Sequence, residues 1–168
     1  WELFVLSLVH CYYRQTDTVV FNEFFIMMGR GNGKNGFISG LAWYLTTKYH
    51  GVTGYNVDII ANSEDQAETS FKDIYSMLEN TWTKSKRFLY KSKVEEHEYE
   101  NSKSIGVFQS GFGKRKHSRI FKITTNGYVR DGVLDDDLRL AHDVLSGDIT
   151  ELGLCPLIYK MDFDEEVN

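Results

Sequence analysis

One stretch limits what this chain can fold into more than any other. It runs Phe24-Phe25-Ile26-Met27-Met28-Gly29-Arg30-Gly31-Asn32-Gly33-Lys34-Asn35 and continues into Gly36-Phe37-Ile38-Ser39-Gly40-Leu41-Ala42-Trp43-Tyr44-Leu45. An apolar run breaks into a glycine-spaced loop that carries a lysine, and a helix-compatible segment follows. A buried strand, a tight turn and a helix N-terminus in that order suit phosphate binding. Backbone N–H groups and the helix dipole stabilise phosphate oxygens, and Lys34 adds a point charge near the β- and γ-phosphates. Glycine is needed where the backbone approaches the ligand closely or takes a positive φ. The bland alternative is a glycine-rich turn between a strand and a helix.

The match to G-x-x-x-x-G-K-[ST] is imperfect at two places. Met28 stands five positions before Gly33, with Gly29 next, and Asn35 stands where a hydroxyl would help hold Mg²⁺. An amide oxygen can also reach a metal or one of its waters, so Asn35 is retained as a Mg²⁺ candidate.

A single domain over residues 1–168 is the expectation from length, which is enough for a sizeable core. No run is as long as a membrane span, and the opening Trp1-Glu2-Leu3-Phe4-Val5-Leu6 resembles entry in mid-chain rather than a signal peptide. Cys11 and Cys155 lack a ligand pattern and read as reduced thiols in or near the core of a cytoplasmic protein. A net charge of −5 gives no bulk electrostatic case for nucleic acid, so any DNA contact would need a local patch such as Lys114 to Arg119.

Apolar spacing predicts a helix over residues 1–13, a polar loop at 14–18, and strands at 19–21 and 24–28. A helix over 35–49 ends near Gly51, followed by a strand over 55–61. Asn62 and Ser63 then cap a helix whose stripe is Ala67, Phe71, Ile74, Tyr75 and Leu78. This strand–helix alternation argues for an α/β fold with a mainly parallel sheet flanked by helices on both faces. A short helix or loop is expected over 104–114, a strand over 119–125 closing on the Asn126-Gly127 turn, a helix over 134–145 stopped by Gly147, and a strand over 155–161. Asp135 to Asp137 complement that helix's dipole, and residues 162–168 form an acidic tail. Between Trp82 and Asn101 no buried strand precedes Glu95; a basic run there switches abruptly to an acidic one, as if residues were absent near 93–95.

Four blocks together resemble one family. They are residues 26–35, Val57 to Ala67, Glu95-Glu96-His97-Glu98-Tyr99-Glu100-Asn101, and Ile123-Thr124-Thr125-Asn126-Gly127-Tyr128-Val129-Arg130. In that order they are similar to the N-terminal packaging ATPase domain of the terminase large subunits of tailed bacteriophages. The resemblance implies a P-loop NTPase fold, ATP and Mg²⁺ as ligands, and hydrolysis coupled to packaging of double-stranded DNA into the procapsid. It also implies that Gly29, Arg30, Gly31, Asn32, Gly33, Lys34 and Asn35 form the Walker A loop, with Arg30 a γ-phosphate sensor or in-cis catalytic arginine. Glu95 takes the place of the catalytic glutamate that polarises water, and Val94 falls where a Mg²⁺-linked Asp is usual. Thr124, Thr125 and Asn126 resemble the motif that couples nucleotide state to motion. Glu2 stands where relatives often carry an adenine-reading Gln.

The implied partners are DNA, a portal protein, a small terminase subunit and further copies in a homo-oligomeric ring, in the bacterial host's cytoplasm and not at a membrane. The family's nuclease domain has no counterpart in this segment. Two other readings remain open: another P-loop DNA or RNA translocase of helicase type, or a non-catalytic prophage remnant that only binds nucleotide.

Overall fold

The computed structural model describes residues 1–52, 55–57, 64–82, 117–125, 133–150 and 153–160. The chain falls into two compact units, one of Trp1–Asn32 with Ser102–Asn168 and the other of Gly33–Asn101.

The first unit opens with α1 (Glu2–Val9), whose Val5 and Val9, one turn apart, are buried. The predicted helix stops there. Residues 12 and 13 instead enter a hairpin of β1 (Tyr12–Tyr13) and β2 (Thr18–Val19), with Tyr12 opposite Val19. Its turn closes on Asp17, at φ 53, whose N–H donates to the Tyr13 carbonyl at 2.8 Å. Asp is among the few residues that tolerate a left-handed backbone. The helical spacing extended to Tyr12 because that residue also faces inward from the hairpin: its hydroxyl accepts a hydrogen bond from the buried Arg119.

Among the described residues the sheet is three-stranded, wholly parallel and ordered β4 (Ile120–Thr124), β3 (Glu23–Met27), β5 (Leu154–Ile158). The central place of β3 explains its composition. Phe24, Phe25, Ile26 and Met27 are all buried, so after Glu23 the strand is continuously apolar rather than alternating. Among the described residues β5 pairs with β3 alone, and an edge strand is where Pro156 can do without an N–H. Between β4 and β5 runs α4 (Val133–Ser146), ended by Gly147 at φ 86. Its Leu134, Leu138, Ala141 and Val144 form a stripe against Phe25, Met27, Leu154 and Ile158. On the other face the Phe24 ring stacks on Phe121 of β4, 4.9 Å between centroids and 12° between planes.

A charged triad joins β3, β4 and α4. Lys122 Nζ lies 2.8 Å from Glu23 Oε1 and 2.6 Å from Asp137 Oδ1. Burial alone would lower the Lys122 pKa, but hydrogen bonds to Asp137 and Glu23, with their charges, hold it above its usual value. Asp135 and Asp136 lie in the first turn of α4 as the dipole argument requires. Asp137, by contrast, is turned to the sheet and neutralises Lys122.

Cys155 is buried on β5, and desolvation pushes its thiol from 9.0 to about 11, with a smaller contribution from Cys11. Below pH 9 the thiol is protonated in both folded and unfolded chains. Between 9 and 11 the unfolded chain releases its proton first, so stability falls as pH rises through that window. Urea midpoints measured across it should decline, and Cys155→Ala should remove part of the decline. A variant with the same alkaline slope as the parent would show that Cys155 is not its source.

In the second unit α2 (Lys34–Thr46) packs against α3 (Glu64–Trp82). α2 ends at the buried Thr47, whose hydroxyl donates to the Tyr44 carbonyl at 2.7 Å and accepts from the Tyr49 N–H. A 3-10 turn (Lys48–His50) follows and Gly51, at φ 89, closes it. Residues 55–57 carry no strand, contrary to the expectation for 55–61; Tyr55 instead meets the His50 ring edge-on at 5.1 Å. Residues 58–63, the 104–114 segment and the tail lie outside the described residues, as does the discontinuity expected near 93–95.

Candidate functional site

The carboxyl ends of the three parallel strands form one edge of the sheet, the place where open α/β sheets bind ligands. The glycine loop leaves from the middle of that edge. Met28, the residue after β3, is still buried, and its N–H donates to the Thr124 carbonyl at 3.3 Å. The loop is thereby anchored at its first residue to the last residue of β4. Gly29, Arg30, Gly31, Asn32 and Gly33 are then all exposed.

Two loop residues have left-handed backbones, Gly31 at φ 78 and Gly33 at φ 77. A Cβ at Gly31 would meet nothing within 4 Å, so glycine is required there by conformation and not by crowding. Gly33 is the N-cap of α2 and supplies no side-chain cap, and the helix's first turn contains no acidic residue. Without a capping oxygen or a carboxylate, that helix end is suited to an external anion. The first turn closes with the Phe37 N–H donating to the Gly33 carbonyl at 3.0 Å. Lys34, the first residue of α2, is half-buried, and desolvation lowers its ammonium from the usual value. Asn35, next along, is exposed.

Thr124 is half-buried at the end of β4, in register with Met27, and its hydroxyl donates to the Thr125 carbonyl at 3.1 Å. The structure therefore brings two sequence-predicted residues, Thr124 and Thr125, to the first arm of the glycine loop. Asn126, Glu95 and Val94 lie outside the described residues. Among the described residues no group of three or more His, Cys, Asp or Glu is placed to hold a metal ion.

Sequence reasoning missed Tyr159, which follows β5. Its N–H donates to the Met27 carbonyl at 2.8 Å, which sets it on the other side of the loop's starting point from Thr124. No motif marks it; only the pairing of β5 with β3 does.

One expectation changes sign. Arg119, offered as part of a basic surface patch, is buried at the opposite edge of the sheet. Its guanidinium donates to the Val9 carbonyl at 2.9 Å, the Tyr12 hydroxyl at 2.8 Å and the His117 carbonyl at 3.1 Å. A cation on the last carbonyls of α1 complements the negative end of that helix, and this use excludes DNA contact. The basic residues 114–116 lie outside the described residues.

Residues 1–111 match the family model described as terminase large subunit, ATPase domain. No curated protein and no solved structure matches the chain. Among the described helices none is long and apolar enough to cross a membrane. The matched span takes in the glycine loop, α2, α3 and the Glu95 block, well over half of the 168 residues, and this chain therefore belongs to the terminase large subunit ATPase domain family.

Proposed function

We propose that the chain is a P-loop ATPase of a tailed bacteriophage or prophage, hydrolysing ATP to drive double-stranded DNA into the procapsid. The observation that carries this reading is the loop itself. A central parallel strand, buried from Phe24 to Met27, runs into an exposed turn with Gly31 and Gly33 left-handed, then into a helix that begins with Lys34.

In this reading the N–H groups of residues 29–35 and the start of α2 cradle the phosphates, and Lys34 neutralises charge at the β- and γ-phosphates. Arg30, exposed in the loop's first arm, senses the γ-phosphate or stabilises charge developing on it. Thr124 and Thr125, anchored beside Met28, carry the difference between bound states into the sheet, with Asn126 following. Glu95 orients the attacking water and accepts its proton.

A magnesium ion fits the donor set modestly. Asn35 offers one exposed amide oxygen, enough for an ion held chiefly by phosphates and waters. Such an ion supplies charge neutralisation. Portal protein, small terminase subunit and neighbouring copies in a ring are the partners of this reading, in the host cytoplasm.

The test is ATP hydrolysis by the protein alone, with DNA, and with DNA plus procapsids. Slow turnover alone and a marked rise with procapsids are expected. Stimulation by nucleic acid without any procapsid dependence would favour a helicase-like translocase instead. Glu95→Gln should keep ATP bound while slowing its hydrolysis by about tenfold or more. Unchanged turnover in that variant would remove Glu95 from the mechanism, and turnover absent from the parent under every condition would leave the binding-only remnant.

A further inference from the structure

The residue that begins the glycine loop has chemically different neighbours on its two sides. On the β4 side stand Thr124 and Thr125, the Thr124 carbonyl accepting from the Met28 N–H and the Thr124 hydroxyl donating to the Thr125 carbonyl. On the β5 side stands Tyr159, held by its own N–H bond to the Met27 carbonyl at 2.8 Å. Leu154 and Ile158 pack with the α4 core, and strand alternation carries Tyr159 to the other side of the sheet, clear of that core. Tyr159 is 42% exposed. A large aromatic left open at the ligand-binding edge of a parallel sheet, beside the start of a phosphate-type loop, has a surface to offer.

A nucleoside triphosphate is equally two-sided, with a charged chain at one end and a flat aromatic base at the other. Hydroxyls and N–H groups suit the first; only a π face suits the second. We propose that Tyr159 supplies a stacking platform for the base of the bound nucleotide, so that the nucleotide lies with its base toward β5 and its terminal phosphate toward β4. This rests on the nucleotide-binding reading and adds a residue and an orientation to it. Stacking is tolerant of base identity, since every base has a π face, so Tyr159 strengthens ATP and GTP alike.

The experiment separates the two ends of the ligand. Affinities for ATP, GTP and inorganic tripolyphosphate, each with Mg²⁺, are measured by calorimetry for the parent, Y159A, Y159L and Y159F. Y159A and Y159L should bind both nucleotides on the order of ten- to a hundredfold more weakly while tripolyphosphate binding is unchanged. Y159F, which keeps the ring, should bind all three as the parent does. ATP affinity equal to the parent's in Y159A, or equal weakening of tripolyphosphate, would overturn the proposal. Tripolyphosphate bound by the parent and lost in Lys34→Ala supports the phosphate loop whatever Tyr159 does. A parent that binds none of the three ligands overturns the nucleotide reading itself.

Discussion

Lys34→Ala should reduce ATP hydrolysis by about 10²–10³-fold, the range found when a preorganised electrostatic contact to developing charge is removed. Lys34 is the first residue of α2, behind the N-cap Gly33, so its ammonium adds a full positive charge to the positive end of the helix dipole. It is half-buried, and desolvation lowers its pKa from the usual value, so burial carries some cost for its charge. A phosphate chain would relieve that cost, which ties the residue to ligand binding as well as to the chemical step. Alanine is a strong helix former, so α2 should persist and thermal unfolding of the variant should match the parent. Arginine is a poor substitute, because a planar fork cannot occupy the place of a compact ammonium in a tight loop. Steady-state hydrolysis together with calorimetric ATP binding checks the prediction. A variant that hydrolyses ATP at the parent's rate would end the phosphate-loop assignment.

The largest effect on stability is expected at Phe24. Its side chain is fully buried in the central strand, stacked on Phe121 and edge-on to Phe21 with centroids 6.2 Å apart. Phe24→Ala loses the transfer free energy of the ring and leaves a cavity on that face of the sheet, costing about 3–5 kcal/mol. Much of a small domain's net stability is of that size, so a large fraction of the variant should be unfolded or easily unfolded at 37 °C. Leu3, 83% exposed on α1, is the contrasting position, and Leu3→Ala should stay within about 0.5 kcal/mol of the parent. Denaturant unfolding of both variants reads the difference. A loss at Phe24 below about 1 kcal/mol would mean that the cavity collapses and that β3 is not the rigid centre of the sheet.

The two positions differ in how far the sequence revealed them. The unbroken apolar run of β3 announced a strand buried on both faces, and the Gly31 and Gly33 spacing announced a turn with positive φ. Both are local signals, set by side-chain solubility and by backbone sterics, so they survive in a one-dimensional reading. The end of α1 did not. Apolar spacing ran on to Tyr12 because a hairpin residue facing Arg119 looks, in sequence, like one more turn of helix. The strand expected from Tyr55 failed in its described part for a related reason: aromatic and β-branched character does not say whether a partner strand lies alongside. Arg119 was misjudged because a basic run resembles a surface patch whichever way each side chain turns.

By itself, then, the sequence determined the α/β character, the buried strand, the loop's glycines and lysine, and, through four blocks in order, the family. These follow from composition, periodicity and local conformational preference, which act between neighbours along the chain. Only the tertiary structure decided that β3 lies between β4 and β5, that Thr124 and Tyr159 flank the loop's first residue, and that Lys122 joins Glu23 to Asp137. It likewise showed why residue 153 is glycine: its backbone is left-handed, at φ 63. Apart from the bond between Lys122 and Asp137, those relations join residues about a hundred or more positions apart. No local signal encodes them, because they arise from which strand edges pair and which faces are left for side chains to fill.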